Sequence, residues 1–284
     1  MYKILAKENI APNVDKYIIA APDVAAKAEP GQFVVLRLHE RGERIPISIS
    51  NWNRAAGTIT LIVQTVGHTT EQLGAMGVGD TILDLLGPLG KPALIEPMGT
   101  VACVAGGVAT AIIYPEARKH KEMGNRVLTL VGARSREYLF YQEELAAISD
   151  RVLVATDDGS YGSKGFVTEL LQQVIDDGIH LDQVIAIGPI PMMQAVAELT
   201  KRYDIKTVVS LNPIMLDGTG MCGACRVRVG DEIKFCCTDG PEFDGHLVDF
   251  ASLMRRSRLY EKSGTKAHTP YQQKDGKGCD GQCQ

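Results

Sequence analysis

The sequence predicts a small antiparallel β barrel followed by an α/β domain, with a cysteine-rich loop after the second. Three observations carry this expectation. Residues 1–98 hold short β-like runs punctuated by Gly, Pro and Asn. Residues 99–210 alternate apolar strands with helix-length segments, the pattern of a doubly wound parallel sheet. Residues 211–245 gather four of the seven cysteines in one glycine-rich stretch. A tail, 246–284, begins as a helical segment and ends polar.

In the first part "DKYIIAAP", "GQFVVLRLH", "RIPISISNW" and "GTITLIVQTV" alternate or run apolar, as strands of a barrel do. "TTEQLGAMG", from Thr69, reads as a helix with hydroxyl residues placed to cap its first turn. In the second part "TVACVAGG", "RVLTLVGARS", "RVLVATDDG", "DQVIAIGP" and "KTVVSL" are the strands. "VATAIIYPEARKHKEMG", "EYLFYQEELAAI", "GFVTELLQQVIDDG" and "IPMMQAVAELTKRY" are the helices between them. Ligands of such sheets lie at the strand C-termini.

Composition narrows the function. With 45% hydrophobic and 23% charged residues the chain reads as a soluble enzyme, and a net charge of −4 gives no electrostatic footprint for nucleic acid or an anionic membrane. No run approaches the roughly 20 apolar residues of a membrane span. The N-terminus lacks the apolar core of a signal peptide. The expected setting is the cytoplasm, where clustered cysteines bind metal or do redox work.

Several turns suit a nucleotide. In "AGGVATA", Gly106 and Gly107 end a strand and open a helix, which lets the backbone approach a pyrophosphate; packing glycines at a βα turn look the same. "GARS" (with Arg134 and Ser135), "TDDGSYG" (with Asp157) and "GPIPMM" (with Gly188, Pro189 and Met192) put small or polar residues at three more strand ends. In the first part "RIPISIS" places Arg44 and Ser48 on one strand, which an exposed edge strand would also do. "VGHTTEQL" offers Gly67, Thr69 and Thr70 at a helix start, for an anion or for simple capping.

"LDGTGMCGACRVRVGDEIKFCCTDGP" is the sharpest motif. Cys222 and Cys225 are spaced as metal ligands, and Cys236 and Cys237 are adjacent. Neighbouring side chains on a strand point to opposite faces, so one tetrahedral zinc ion is poorly served by both. One ligand from that pair leaves three thiols and a vacancy. A plant-type [2Fe–2S] loop has its first ligand five residues before the second. Asp217 stands at that position, and oxygen ligation is acceptable to iron.

These features together resemble the ferredoxin–NADP reductase superfamily, on the branch of the electron-transfer subunit of class B dihydroorotate dehydrogenase. "RIPISIS", "GDTILDLLGPLG", "AGGVATA" and "TDGP" carry the resemblance. The carboxylate in "LDGTGMCGACR" makes the small subunits of NADH-dependent ferredoxin:NADP oxidoreductases the nearer likeness. The resemblance implies FAD on the barrel, contacted by Pro46, Ile47, Ser48 and Ile49 through backbone and apolar packing, and NAD(H) on the second domain. It implies Asp217, Cys222, Cys225 and Cys237 as cluster ligands, with Cys236 free. No side-chain acid or base is nominated. The implied assembly bifurcates electrons with a larger flavin and iron–sulfur subunit that carries the NADP and ferredoxin sites. An electron-transfer subunit of dihydroorotate dehydrogenase B and a zinc-stapled, NAD-binding regulatory module are the alternatives.

Overall fold

The structure, a computed structural model, describes residues 1–259, so Cys279 and Cys283 lie outside the described residues. The first half is built from β1 (Tyr2–Ala11), β2 (Val14–Ala20), α1 (Pro22–Lys27), β3 (Phe33–Arg37), β4 (Ile45–Asn53), β5 (Thr58–Gln64), α2 (His68–Ala75), β6 (Thr81–Ile82) and β7 (Asp84–Leu89). Its strands follow the order β6-β1-β2-β5-β4-β3-β7. The edge strands β6 and β7 are one residue apart in the chain, so the antiparallel sheet curls into a nearly closed barrel. Ile4, Tyr17, Ile19, Val34, Leu36, Ile49 and Leu61 fill it. The β1 strand and the short α1 fall outside the expected elements, because charged residues interrupt the apolar pattern of β1.

The second half comprises β8 (Thr100–Gly106), α3 (Thr110–Glu122), β9 (Arg126–Ala133), α4 (Gln142–Ile148), β10 (Arg151–Thr156), β11 (Ser163–Lys164), α5 (Val167–Asp176), β12 (Gln183–Ile187), α6 (Ile190–Lys201) and β13 (Thr207–Ser210). The remainder adds β14 (Arg226–Val229), β15 (Glu232–Phe235), β16 (Glu242–Asp244) and α7 (Phe250–Ser257). The sheet order is β11-β10-β9-β8-β12-β13-β16. Side chains of β8 alternate between its two faces. Val101, Cys103 and Ala105 pack toward α3, while Ala102 and Val104 join the core beneath α5 and α6.

Two departures from the expected pattern have physical reasons. The segment 137–148 is not one helix, since Tyr141 takes a left-handed φ of 60° and separates a short 3-10 turn from α4. The sheet is not wholly parallel either. Its last strand, β16, comes from the cysteine region and pairs antiparallel with β13. Cys225, Cys236 and Cys237 share one core with α5, α6, α7 and the barrel residues Phe33 and Val35. The cysteine region is therefore packed into both halves.

The halves are also joined through a proline. Pro115 lies inside α3 and has no N–H for the carbonyl of Ala111 four residues earlier. The Ser50 hydroxyl of β4 donates to that oxygen instead, at 2.8 Å. Nearby, the Arg118 guanidinium donates to Asn51 Oδ1 at 3.1 Å and stacks on Trp52 and Tyr114.

Candidate functional site

A cleft of about 890 Å³ opens between the barrel and the C-terminal edge of the parallel sheet. Pro46 and Ser48 line it from β4, and Gly106, Gly107, Arg134, Asp157, Gly188, Pro189 and Met192 line it from the sheet. Strand geometry explains the barrel side. Alternate residues point oppositely, so Pro46 and Ser48 face the cleft while Ile47 and Ile49 pack into the barrel. Side-chain packing of Ile47 and Ile49 on a ligand in the cleft is thereby corrected; those two positions offer it only backbone.

The glycines of the sheet edge differ in purpose. A Cβ on Gly106 would sit 2.6 Å from Met192 Sδ, and one on Gly188 would sit 2.8 Å from Met192 Cε, so both are needed for close packing. Gly107 has a φ of +61° and open space about its Cα. Its backbone is bare toward the cleft, as close approach of a phosphate requires. Farther out, Asp157 is exposed and Arg134 is exposed beside it on the neighbouring strand end.

The remaining nucleotide candidates gather elsewhere. Gly67, Thr69 and Thr70 begin α2, and the Thr69 hydroxyl donates to Glu43 at 2.5 Å, which brings the stretch before β4, Arg44 included, beside that helix start. The Thr70 hydroxyl accepts from the backbone N–H groups of Val66 and Gly67 and donates to Gly67 O. Both hydroxyls are thus engaged, and the donors left at this end are the first backbone amides of α2. Arg44 is exposed, and Ser135 precedes a short 3-10 turn, its hydroxyl donating to Glu137 Oε1 at 3.5 Å rather than to the turn's backbone. None of these five lines the cleft.

Sequence reasoning missed Phe33, Gln64, Tyr138, Phe166 and Pro241, which also line it. Phe33 is the register partner of Ser48, so pairing the two strands would have found it. Pro241 belongs to the cysteine region, and no local signal links it to the cleft.

In the cysteine loop the four ligand candidates form two pairs. Cys225 and Cys237 are buried, with their sulfurs 3.2 Å apart. Asp217 Oδ2 accepts the backbone N–H of Cys222 at 2.8 Å, and Oδ1 accepts that of Thr219 at 2.9 Å. These amides, Thr219's first, hold the carboxyl below the usual carboxylate range. Burial pushes the Cys237 thiol up to about 12, helped by its contact with Cys225. Cys236 is wholly buried, and burial raises its thiol too.

The loop suits a cluster on its own chemistry. Three thiols and a carboxylate supply four donors, and backbone amides of Ala224 and Cys237 point at the sulfurs of Cys222 and Cys225. Gly218, Gly220 and Gly223 all take left-handed φ values, and a Cβ on Gly218 would strike Leu89 of the barrel at 2.7 Å. Among the described residues no three His, Cys, Asp or Glu side chains gather as a single ion requires. The four candidates stand instead as two pairs, Asp217 with Cys222 and Cys225 with Cys237.

An antiparallel barrel and a doubly wound sheet that share a cleft, with a cysteine loop packed against both, define a ferredoxin–NADP reductase-like electron-transfer fold. Residues 212–249 match the iron–sulfur cluster binding domain of dihydroorotate dehydrogenase B. The chain is 46% identical over 260 residues to the dihydroorotate dehydrogenase B (NAD(+)) electron transfer subunit homolog of Thermotoga maritima, covering 92% of each chain. It belongs to the family of dihydroorotate dehydrogenase B electron-transfer subunits and their homologues. A chain in the structure of an NADH-dependent reduced ferredoxin–NADP oxidoreductase, described for flavin-based electron bifurcation, is 44% identical with a TM-score of 0.89; the match covers 94% of this chain and 97% of that one. The ferredoxin NADP+ reductase of Neisseria gonorrhoeae, solved with FAD and NADP, shares the fold at 21% identity and a TM-score of 0.60, over 72% of this chain and 90% of that one. No helix among the described residues is long and apolar enough to cross a membrane.

Proposed function

We propose that this chain is the NAD(H)-side electron-transfer subunit of an electron-bifurcating NADH-dependent ferredoxin:NADP oxidoreductase. The observation that carries the reading is one cleft shared by barrel and sheet edge, with the two-pair cysteine loop packed against both. The likeness to the bifurcating oxidoreductase over nearly the whole chain supports it. When bound, FAD exchanges electron pairs with the nicotinamide and single electrons with the [2Fe–2S] centre.

The residues position these groups rather than react with them. Phe33, Pro46 and Ser48 form the barrel wall of the cleft, and Gly106, Gly107 and Gly188 let a dinucleotide lie against the sheet edge. Arg134 and Asp157 meet its outer end. The start of α2, beside Arg44, offers backbone amides to the flavin's phosphates. Asp217, Cys222, Cys225 and Cys237 hold the cluster. Met221, 90% exposed beside Cys222, lies on the surface where a larger flavin and iron–sulfur subunit would approach. A reducing cytoplasmic setting goes with this reading, because the loop's thiols have to stay unpaired.

The second reading, a dihydroorotate dehydrogenase B electron-transfer subunit, is favoured by the match at 212–249. It is separated from the first by which subunit copurifies. The test of the cluster is anaerobic electron paramagnetic resonance on dithionite-reduced protein. Wild type is expected to give a [2Fe–2S] signal whose g-values shift in Asp217→Cys and which fades in Asp217→Ala. A colourless, zinc-holding wild type would overturn the redox reading.

A further inference from the structure

Among the described residues, the buried side-chain atoms without a hydrogen-bond partner are both carboxyl oxygens of Glu116, His120 Nε2, Gln183 Oε1 and Glu242 Oε1. The cofactor sites use none of these residues. Glu116 and His120 are one turn apart on α3 and wholly buried. Gln183 begins β12, two residues before Ile185, which pairs with Cys103 and packs on the α3 side of the sheet. The Glu116 and Glu242 carboxyls lie within hydrogen-bond reach of each other; burial first and then the neighbouring carboxyl strengthen the hold on a proton at Glu116, while the contact eases it at Glu242. Two ionised carboxylates have no hydrogen to share, so these oxygens are partnered only when one of the pair holds a proton. Such groups are rarely left unpartnered in a packed interior without a reason.

The pair lies directly beneath the cleft. Pro241, next to Glu242, and Ser210, its register partner, both line the cleft. A Cβ on Gly31, two residues before the cleft-lining Phe33, would sit 3.2 Å from Glu242 Oε1. The titratable neighbours on this face are Cys103 of β8 and His120 of α3. Burial keeps the thiol protonated and the imidazole neutral. The barrel's Gly31 brings no charge, and β12 and β13 bring Gln183 and Ser210. The carboxyls are where a proton can be gained or lost.

We propose that Glu116 and Glu242 form a proton-holding pair that takes up a proton when the flavin site above it is reduced and releases it on reoxidation. The inference rests on the functional reading given above. In that reaction NADH and two oxidised one-electron acceptors give NAD⁺, two reduced acceptors and one H⁺. That proton and the pair's are distinct: the hydrogen of the hydride stays with the flavin until the electrons leave. The pair draws its proton from solvent to offset the one negative charge that hydride transfer adds to the cleft, and returns it to solvent when that charge is gone. Negative charge added in the cleft raises the proton affinity of carboxyls beneath it, and two facing carboxyls bind protons in separate steps.

The experiment is reduced-minus-oxidised infrared difference spectroscopy on the full chain loaded with FAD, in H₂O and D₂O, with flavin reduction followed by its absorbance. Wild type is expected to gain a carboxylic-acid C=O band on reduction that shifts in D₂O. Glu116→Gln and Glu242→Gln, which keep the side-chain shape, are each expected to lose it. Glu116→Asp should keep a displaced band, and this variant decides the matter if both Gln variants fail to hold flavin. A flavin that binds and reduces with no such band, or a band that survives both Gln variants, overturns the proposal. A wild type that takes up no flavin overturns the functional reading first and this inference with it; the absorbance tells the two failures apart.

Discussion

Gly106, Gly107 and Gly188 reach the cleft from strands whose neighbouring side chains, Val104, Ala105 and Ile187 among them, are almost wholly buried. Cys222 instead hangs from a loop beside exposed Met221, with left-handed glycines at 218, 220 and 223, and the ligand candidate Asp217 is engaged with the backbone amides of Thr219 and Cys222. The two regions are shaped by different forces. Burial of apolar side chains on both faces of the sheet fixes where the cleft's glycines lie. The loop has an anchored half, Cys225 and Cys237 in the core, and a free half whose arrangement depends on the ligand it holds. Damage to the loop should therefore be local and complete, and damage to the cleft graded.

The largest expected effect tests the anchored half. Cys237→Ser is expected to abolish the [2Fe–2S] signal and the bound iron while flavin binding persists. Cys236→Ser should keep the iron and lose about 1–3 kcal/mol of stability, because a hydroxyl replaces a thiol in an apolar core. Iron content and denaturant melts of both variants check this. If Cys236→Ser loses the iron and Cys237→Ser keeps it, the pairing of Cys225 with Cys237 is wrong.

A second test bears on the sheet that holds the cleft. Burial lowers the His120 pKa to about 4, against about 6.5 in an unfolded chain. As pH falls the unfolded chain takes the proton first, so the stability present above pH 6.5 drains away toward pH 4. Glu116 works in the opposite direction, since its raised pKa favours the folded state in acid. The contribution of His120 is isolated by difference. Between pH 7 and pH 5 the stability of wild type relative to His120→Gln is expected to fall by about 2 kcal/mol. Urea melts at the two pH values measure it, and an unchanged difference would mean that His120 is not held neutral.

The same contrast governs what could be read from the sequence. Strand ends of the sheet were legible because a buried parallel strand announces itself as an apolar run that stops at glycine, as "TVACVAGG" does. The ligand spacing of Asp217, Cys222 and Cys225 was legible because it is local. Contacts made at a distance were not. Nothing near Pro241 says that it reaches the cleft, and Glu116 reads as an ordinary solvated helix residue until the barrel is seen to cover it. Alternation on β4 was visible, yet which of Ser48 and Ile49 faced inward depended on a register that only the folded barrel supplies.

The smallest effect asks whether the cleft's bare backbone serves a ligand or only a turn. Gly107 and Gly124 both take a left-handed φ, +61° and +84°, and both have open space where a Cβ would go. Alanine at either position carries a similar backbone strain of about 1 kcal/mol. They differ in place: Gly107 lines the cleft, and Gly124 follows the far end of α3. Gly107→Ala is expected to weaken NADH binding about tenfold, equivalent to about 1.4 kcal/mol, with flavin content unchanged. Gly124→Ala should lose the same stability and bind NADH as wild type does. Titration of NADH against both variants separates the two roles. Equal affinity in the two would reduce Gly107 to a turn residue and leave the Met192-packed pair, Gly106 and Gly188, to carry the approach of the dinucleotide.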